Sequence, residues 1–339
     1  MKQIEIRQAA RTIAVPEGMT ILQAALANSI AYPHGCRSGR CGSCKSRLIS
    51  GEVELLKHSG FALSDEEKSQ GLILACCALP RTDVILAWVG GDEQLPAHPR
   101  RQLDCRVKAI DNATHDIKRL QLDIGEAEPL VFTAGQYARL TFPGAPARDY
   151  SMANGPGERV LEFHIRRVPD GATTEHVHQR LKPGDPVVLK GPFGSACLRE
   201  QHAGPILCIA GGSGLAPIKA IVETAVAQGM KQPIHVYFGA RSERDLYLVE
   251  HFQGLTQRYA NLRFIPVLSQ ASVTGHWRTG YVTDAIAHDL TYLDGWKAYV
   301  AGPPLMVEAA MQITRARELR AEDLHADVFF TPTEKLEET

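Results

Sequence analysis

The alternation of apolar and polar side chains near the N-terminus predicts a small β-rich unit with one main helix. The first residues alternate as two short strands, and Thr20 then caps an alanine-rich amphipathic helix from Ile21 to about Asn28. The segment SRLISGEVEL predicts a hairpin through Gly51. A capping box in SDEEK predicts a second, short helix, and TDVILAW predicts a closing strand.

The pattern changes twice further along the chain. A segment with prolines and mixed charges, from about Gly91 to Arg101, predicts a semi-rigid linker. From Leu103 to about Glu200, short alternating strands such as DIKRLQLDI, QYARLTF, VLEFHIRRV and PVVLKG are typical of an antiparallel barrel. From Pro205 onward, apolar strands alternate with helical segments, which predicts a parallel α/β sheet. The predicted domains are therefore residues 1–92, 101–200 and 204–339.

Composition and charge exclude several classes of protein. The 339 residues have a formal net charge of −1 with acids and bases interspersed, so no basic surface indicates binding to nucleic acid or to an anionic membrane. No apolar stretch approaches the length of a membrane span, and the N-terminus alternates like a strand, unlike a signal peptide. We therefore expect a cytoplasmic protein.

Four cysteines, Cys36, Cys41, Cys44 and Cys76, follow the pattern C-x4-C-x2-C with a distant fourth cysteine. This is the ligand spacing of a plant-type 2Fe-2S cluster, and the glycines of HGCRSGRCGSC allow the loop to fold around a compact anion. A structural zinc site is the alternative, but it usually has two C-x2-C pairs and only one is present. The remaining cysteines are expected to be reduced, buried thiols: Cys77, Cys105, Cys197 and Cys208.

Two glycine turns follow strands of the predicted parallel sheet. Gly211, Gly212 and Gly214 end one strand, and Gly302 with Pro303 end another. Such turns let a phosphate approach backbone amides at a helix N-terminus. The run G-G-S-G departs from G-x-G-x-x-G, so a plain tight turn is the alternative for it taken alone. Together the two turns predict one nucleotide crevice at the carboxyl ends of the strands.

The barrel segment holds a second group of candidate ligands. RDYS contains Arg148, Tyr150 and Ser151, and the segments FHIRR and GATT follow downstream. A tyrosine can lie on an aromatic cofactor ring, and arginines with a threonine hydroxyl suit a diphosphate. A barrel edge with solvated arginines explains the same residues equally well.

The order of these motifs resembles one family over nearly the whole chain. The set C-x4-C-x2-C…C, R-x-Y-S, G-x-x-T, G-G-x-G-x-A-P and G-P-P-x-M is similar to that of reductase components of bacterial aromatic-ring-hydroxylating dioxygenase systems, such as those for naphthalene, carbazole and terephthalate. The resemblance implies a multidomain α+β and α/β fold. Its parts would be a β-grasp ferredoxin, an antiparallel flavin-binding β-barrel and a Rossmann-like parallel α/β nucleotide domain. The implied cofactors are a 2Fe-2S cluster, FAD and NAD(P)H.

The resemblance also implies roles for individual residues. Tyr150 would stack on the flavin ring and Ser151 would donate a hydrogen bond near its hydride-accepting nitrogen, which makes them the candidate catalytic residues. The other flavin-binding candidates are Arg148, His164, Ile165, Arg166, Gly171, Thr174 and Phe329. The dinucleotide-binding candidates are Gly211, Gly212, Gly214, Gly302 and Pro303, and the cluster ligands are Cys36, Cys41, Cys44 and Cys76.

Two positions depart from the family pattern. Many relatives have a cysteine where this chain has Ala301, so a thiol contribution to nicotinamide positioning is missing here. Cys77 stands where a polar residue is common, which leaves Cys76 or Cys77 as the fourth cluster ligand. We expect Cys76, because it matches the L-x-C position of the motif.

The implied activity is oxidation of NAD(P)H, with a hydride passed to FAD and single electrons passed through the cluster to a ferredoxin or an oxygenase component. One alternative is a reductase for another acceptor, such as a deoxysugar dehydratase or a monooxygenase, and a second is a redox sensor that does not turn over. Arg37, Ser38 and Arg40 either form the docking surface for the acceptor or balance the charge of the cluster.

Cofactor choice depends on the end of the second strand of the nucleotide domain. Arg241 and Arg244 could bind the 2′-phosphate of NADPH, yet no acidic residue directly ends that strand to require a 2′-hydroxyl. We expect NADH, because many of the resembling reductases use it.

Overall fold

The computed structural model describes residues 1–60, 62–89, 98–270 and 277–330. The chain divides into two compact units. The first is Met1–Ala97 with two short stretches, Gly194–Ala196 and His325–Val328, and the second holds the rest of the chain. The part of the predicted linker from Gly91 to Ala97 lies outside the described residues. No helix in the described part of the chain combines the length and the apolar character needed to cross a bilayer.

The first unit is a mixed sheet that packs on a short helix. Its elements are β1 (Lys2–Ile6), β2 (Arg11–Val15), α1 (Ile21–Ala27), β3 (Lys45–Ser50), β4 (Val53–Leu55), α2 (Asp65–Ser69), β5 (Leu72–Leu74), β6 (Ala78–Pro80) and β7 (Val84–Trp88). The sheet order is β2-β1-β7-β3-β5, with β1 and β7 parallel. Thr20 and Ser64 are the N-caps of capping boxes at α1 and α2, as the sequence predicts.

The predicted hairpin through Gly51 is wrong. β3 pairs with β5 and β7, whereas β4 pairs with β6 in a separate two-stranded sheet. Gly51 has a φ of +90° and packs against the segment that contains Asp83. A Cβ on Gly51 would lie 2.1 Å from the carbonyl oxygen of Asp83. Apolar alternation located both strands, but it does not encode which partner each strand pairs with.

The second unit begins with an antiparallel sheet that has a buried apolar face. Its elements are β8 (Arg101–Asn112), β9 (Ile117–Asp123), β10 (Tyr137–Thr141), β11 (Arg148–Ser151), β12 (Val160–Arg166), α3 (Ala172–Gln179) and β13 (Pro186–Phe193). The strand order is β11-β10-β13-β8-β9-β12. Alternate residues of β9 and β12, such as Leu120, Leu122 and Phe163, are fully buried in its core. Helix α3, which begins in GATT, was not predicted.

A parallel α/β sheet completes the second unit. Its elements are β14 (Ile206–Gly211), α4 (Leu215–Ala227), β15 (Ile234–Ala240), α5 (Val249–Arg258), β16 (Leu262–Leu268), β17 (Arg278–Thr279), α6 (Val282–Asp289), β18 (Lys297–Gly302) and α7 (Pro304–Arg315). The strand β19 (Leu324–Val328) follows, and its residues His325–Val328 belong to the first unit. The strands β17, β16, β15, β14 and β18 are adjacent in this order and parallel. β14 is buried along its whole length, which explains its continuous apolar sequence. The architecture confirms the predicted fold class.

Candidate functional site

The cysteine loop after α1 is organised by backbone amides that donate to sulfur. Two amides of the loop donate to Sγ of Cys36 at 3.3 and 3.5 Å, and the amide of Cys36 donates to Sγ of Cys41 at 3.3 Å. The amide of Cys76 donates to Sγ of Cys44 at 3.4 Å, which links the distant cysteine to the loop. The hydrogen bond from the Cys41 thiol and those two amides lower the pKa of Cys36 to about 5, against the effect of burial. The loop therefore stabilises the thiolate of Cys36, and the thiolate is the form in which cysteine binds metal.

Two glycines in this loop pack closely on sulfur. A Cβ on Gly39, which has a φ of +74°, would lie 2.6 Å from Sγ of Cys77, and a Cβ on Gly35 would lie 3.1 Å from Sγ of Cys41. Cys77 itself donates to the carbonyl oxygen of Lys57 at 3.6 Å. The Cys77 thiol is therefore bonded to the main chain outside the cysteine loop, whereas the amide of Cys76 is bonded to Sγ of Cys44. The donor set of four thiols, with sulfur-directed amides around it, fits a 2Fe-2S cluster.

The RDYS strand, β11, presents a buried hydroxyl that lacks a partner. The phenol oxygen of Tyr150 is inaccessible to solvent and has no hydrogen-bond partner among the described residues. Burial raises the pKa of Tyr150, so the hydroxyl is neutral. An unpaired buried hydroxyl lowers the stability of the folded protein by about 1–3 kcal/mol. A bound group with polar atoms that pairs with the Tyr150 hydroxyl would remove this cost. Ser151, the next residue, is 6% exposed and pairs with Tyr137 of β10. These residues fit a cofactor that is aromatic and also polar, such as a flavin.

Other flavin-binding candidates differ in how much of the side chain is available. Arg148 is exposed and donates to the carbonyl oxygen of Ala147 at 2.9 Å. The hydroxyl of Thr174 is already bonded within its own loop, to the main chain of Val168 and to the carbonyl oxygen of Gly171 at 3.1 Å. Gly171 is the N-cap of α3. Thr174 therefore shapes the start of α3, and the backbone there is the part that can contact a phosphate.

His164 and Ile165 are buried inside the second unit. The ring of His164 is fully covered, and its two nitrogens lie 3.0 Å from the hydroxyl of Tyr247 and 2.9 Å from Oε1 of Glu162. Ile165 is 0% exposed. Neither side chain can contact a cofactor at the surface of the barrel, so any such contact would involve their main chain.

The two predicted glycine turns are in contact with each other. A Cβ on Gly214 would lie 2.1 Å from the carbonyl oxygen of Ala301, and a Cβ on Gly302 would lie 3.1 Å from the amide nitrogen of Gly211. Packing against backbone therefore requires glycine at Gly214, and packing together with a φ of +152° favours it at Gly302. Gly212 is different, because it has a φ of +54° and its missing Cβ faces a cation, 3.2 Å from Nη1 of Arg166. Phe329 also reaches this place, since its amide donates to the carbonyl oxygen of Gly302 at 2.9 Å.

The guanidinium of Arg166, which the family resemblance implies at the flavin phosphate, lies against the Gly212 turn. Asp116 holds it there, with Nε of Arg166 2.8 Å from Oδ2 of the carboxylate. Burial would raise the pKa of Asp116, but the hydrogen bond from Thr114 and the charge of Arg166 hold it below its usual value. The same carboxylate lies 3.9 Å from Nη2 of Arg241, which is about half exposed, and Arg244 is exposed on the following turn.

His115, Asp116 and Asp245 also bring potential metal-ligating atoms within 4.8 Å of one another. The carboxylate of Asp116 is already neutralised by Arg166, and that of Asp245 accepts hydrogen bonds from the amide and hydroxyl of Ser242. We interpret the group as part of the ion-pair arrangement around Arg166.

Three buried polar residues at this site were not found from the sequence: Glu162, Lys219 and Tyr247. Signals for two of them were present. Glu162 and His164 are alternate polar residues in the apolar strand VLEFHIR, so they lie on one face of it, and Lys219 is the single charge in the first turns of the apolar helix LAPIKAIV. Tyr247 gave no such signal, because a tyrosine in a mixed segment is equally common at the surface.

Comparison with known proteins identifies the class. The chain matches three family models, described as a 2Fe-2S iron-sulfur cluster binding domain (residues 4–81), an oxidoreductase FAD-binding domain (104–197) and an oxidoreductase NAD-binding domain (208–312). It is 39% identical over 313 residues to the ferredoxin--NAD(P)(+) reductase component of the naphthalene 1,2-dioxygenase/salicylate 5-hydroxylase systems of a Ralstonia species, which covers 92% of this chain and 94% of the relative.

Two solved structures agree with this. The Amycolatopsis cytochrome P450 reductase GcoB is 35% identical, with a TM-score of 0.78 and coverage of 97% of this chain and 99% of that chain. The ferredoxin reductase of carbazole 1,9a-dioxygenase is 27% identical, with a TM-score of 0.70 and coverage of 97% and 98%. The chain belongs to the family of iron-sulfur flavoprotein reductases of multicomponent oxygenase systems. It is an electron-transfer oxidoreductase with a 2Fe-2S cluster and FAD that uses NAD(P)H, and the predictions of cluster, flavin and nucleotide are confirmed over the zinc alternative.

Proposed function

We propose that this reductase supplies single electrons, taken from NADH, to the oxygenase component or a separate ferredoxin of an aromatic-ring-hydroxylating dioxygenase system in aromatic-compound catabolism. The observation that supports it most is the presence, in one chain with the flavin and nucleotide motifs, of four cysteines linked by backbone amides that donate to sulfur: Cys36, Cys41, Cys44 and Cys76. The Ralstonia relative, named for a naphthalene dioxygenase system, supports the choice of acceptor. Because the NADH pool and the free thiols of this chain both suit a reducing compartment, we place the reaction in the cytoplasm.

In this proposal three domains, at residues 1–92, 101–200 and 204–339, divide the work. FAD, when bound, accepts an electron pair as a hydride and releases it one electron at a time, as a cluster requires. Tyr150 packs against the flavin ring and gains a partner for its buried hydroxyl. Ser151 places a hydroxyl beside the reacting edge of the ring, and Arg148, with the backbone at Gly171, neutralises the flavin phosphates.

The nucleotide crevice is assigned to the two glycine turns, with one change from the roles implied by the sequence. Arg166 is assigned to the dinucleotide diphosphate, because its guanidinium lies against Gly212 and is held there by Asp116. The guanidinium provides the positive charge that a diphosphate needs. The glycine turn, next to a helix N-terminus, provides the backbone amides. Gly302, Pro303 and Phe329 border the nicotinamide in this assignment.

Selectivity for NADH is assigned to the surroundings of Arg241. Arg241 follows β15, where a cation could bind the 2′-phosphate of NADPH. The ionised carboxylate of Asp116, however, lies 3.9 Å from Nη2 of Arg241 and disfavours a second anion there. We expect Arg241→Ala to raise the Michaelis constant for NADPH about tenfold and that for NADH less than twofold, since one charge-assisted contact is lost only with NADPH. Arg244→Ala is the matched control. Equal losses with the two nucleotides would remove Arg241 from the 2′ site.

The acceptor is tested by reconstitution. The purified reductase is combined with NADH and either a dioxygenase oxygenase, with and without its ferredoxin, or a monooxygenase hydroxylase or P450, and product formation is measured per NADH oxidised. We expect tight coupling with a dioxygenase system. Coupling only with the monooxygenase or P450 would favour the second candidate, which the likeness to the Amycolatopsis P450 reductase supports. Failure of NADH to reduce the flavin at all would overturn the reductase function itself.

The acceptor is expected to dock beside the cysteine loop. Arg37 and Arg40 are half-buried and Ser38 is exposed, so this loop offers both charge and backbone at the surface nearest the cluster ligands. Electron-transfer complexes are small and electrostatically steered. Charge reversal at Arg37 or Arg40 should therefore slow reduction of the acceptor and weaken its dependence on salt, with reduction of ferricyanide unchanged.

A further inference from the structure

A row of buried polar side chains joins the flavin-binding barrel to the nucleotide turn. We call it the polar seam, and define it as Glu162, His164, Lys219 and Tyr247. Oε1 of Glu162 lies 2.9 Å from Nε2 of His164, and Nδ1 of His164 lies 3.0 Å from the hydroxyl of Tyr247. That hydroxyl is 3.4 Å from the carbonyl oxygen of Gly212. The seam thus runs from β12 to the glycine turn that follows β14.

Lys219 makes a second connection between the flavin-binding barrel and the nucleotide turn. Its Nζ donates to the carbonyl oxygen of Ala153 at 2.9 Å and lies 3.7 Å from Oε1 of Glu162. Ala153 is two residues beyond Ser151, and Lys219 is in α4, directly after the glycine turn. One buried ammonium group therefore ties the helix behind the nucleotide turn to the chain next to the predicted hydride site.

The protonation states of the seam follow from its surroundings. Burial opposes ionisation of Glu162, but hydrogen bonds from His164 and Arg119 and the charge of Lys219 lower its pKa. Since a carboxylate only accepts, Nε2 of His164 carries the proton that faces Glu162. Burial, with the nearby charges of Lys219 and Arg119, lowers the pKa of His164, so Nδ1 carries no proton and can only accept. The single hydroxyl proton of Tyr247 therefore lies between two acceptors, Nδ1 of His164 and the carbonyl oxygen of Gly212. The donors of the seam are therefore Lys219, Nε2 of His164 and the hydroxyl of Tyr247.

Stability alone gives little reason for such a seam. A buried ion pair is often no more stabilising than well-packed apolar residues of the same volume. Most of the surrounding helix is apolar, with Ile218, Ala220, Ile221 and Val222 buried beside Lys219. What directional hydrogen bonds provide, and apolar contacts do not, is a fixed register between the two packed surfaces.

We propose that the polar seam consists of positioning residues, which fix the Gly212 turn, and with it the dinucleotide, against the flavin strands β11 and β12. The inference rests on the proposed roles of Ser151 and the glycine turns. Hydride transfer needs the reacting atoms within a narrow range of distance and angle. A small shift of the Gly212 turn against β11 and β12 therefore lowers the rate without preventing binding. Tyr247 is the end of the seam that contacts the turn.

The test compares Tyr247→Phe with Tyr237→Phe in the holoprotein. Tyr237 is equally buried, but its hydroxyl donates to Asp289 at 2.9 Å, outside the seam. We expect Tyr247→Phe to lower the limiting rate of flavin reduction by NADH, measured by stopped flow, about 10- to 100-fold. The dissociation constant for NAD⁺, measured by calorimetry, the flavin content and the melting temperature should match those of Tyr237→Phe. In hydrogen exchange, the amides of Gly212–Gly214 should lose protection only in Tyr247→Phe.

A second variant covers the case in which Tyr247→Phe does not fold. Lys219→Met keeps the length of the side chain and removes its donor, and should give the same loss of limiting rate with flavin retained. If either folded variant reduces flavin at the parent rate, the seam is only structural and the proposal is wrong. That result differs from failure of the proposed function, in which the parent protein itself would not be reduced by NADH.

Discussion

The cysteine loop and the junction between flavin and nucleotide elements are built in opposite ways. In the loop, three of the four ligands fall within nine residues of each other, and main-chain amides orient their sulfurs at 3.3–3.5 Å. At the junction, the contacts are made by side chains far apart in the chain: His164 and Tyr247 are 83 residues apart, and Lys219 and Ala153 are 66 apart.

The difference matches the two kinds of electron transfer. Single electrons tolerate variation in distance and angle, so a cluster held by a local loop suffices. Transfer of a hydride requires a fixed approach of two rings, and the proposed hydride site adjoins the directional, buried hydrogen bonds of the polar seam. We therefore expect substitutions in the loop to remove one activity completely and substitutions at the junction to change a rate.

The largest effect is expected for Cys41→Ser. Loss of a cluster ligand should abolish iron and sulfide content and lower NADH-dependent reduction of cytochrome c at least about 100-fold, because that acceptor takes single electrons from the cluster. Reduction of ferricyanide should persist, since it is served by the flavin. Iron and sulfide analysis with both assays decides the outcome, and loss of both activities with flavin still bound would contradict the separation of the two sites.

Cys77→Ser is the control for this experiment. Its thiol is 3.7 Å from that of Cys76 but is bonded to the carbonyl oxygen of Lys57, and serine can make the same bond. The variant should retain the cluster, whereas Cys76→Ser should lose it. The reverse pattern would make Cys77 the fourth ligand.

Gly214→Ala should be the most destabilising change at the junction. The added Cβ would lie 2.1 Å from the backbone oxygen of Ala301, which cannot move aside as a flexible side chain would, so we expect a loss of about 3 kcal/mol in the free energy of unfolding. Gly254→Ala, in α5, has no atom within 4 Å of the new Cβ. This control should gain about 0.5–1 kcal/mol. Urea denaturation of both variants measures the contrast, and a mild effect at Gly214 would show that the two turns are not in fixed contact.

Ser151→Ala should slow flavin reduction about tenfold or more while leaving the dissociation constant for NAD⁺ within about twofold, because a hydrogen bond beside the reacting atoms acts mainly on the transition state. Thr256→Ala, which removes a surface hydroxyl that donates to the carbonyl oxygen of Gln253, is the control. An unchanged rate in stopped flow would exclude Ser151 from the site.

The smallest effect is a dependence of stability on pH. Burial lowers the folded-state pKa of His164 below its ordinary value of 6.5, so the unfolded chain binds the proton first as the pH falls. The contribution of His164 to the free energy of unfolding is therefore complete above about pH 6.5. Below that pH it is lost, by at most about 1.4 kcal/mol per pH unit. His164→Gln, which keeps one donor and one acceptor but does not titrate, should show a shallower decline in urea denaturation. Parallel curves for the two proteins would place the acid sensitivity elsewhere.

The sequence determined what depends on neighbouring residues. Spacing of cysteines and glycines predicted the cluster, since a compact loop around an anion is a local geometry. Apolar periodicity located most of the strands and helices, and the capping boxes at Thr20 and Ser64 fixed where two helices begin. Periodicity and caps are set within a few residues, so the chain alone encodes them.

Only the tertiary structure decided which distant groups meet. It separated β4 from β3, placed the guanidinium of Arg166 against Gly212, and brought Glu162, Lys219 and Tyr247 into one buried row. Apolar alternation says which face of a strand is buried, but not what packs against that face. A lone charge in an apolar segment indicates that a partner exists, because an unpaired buried charge is too costly. The identity of that partner is set by the packing of the whole chain.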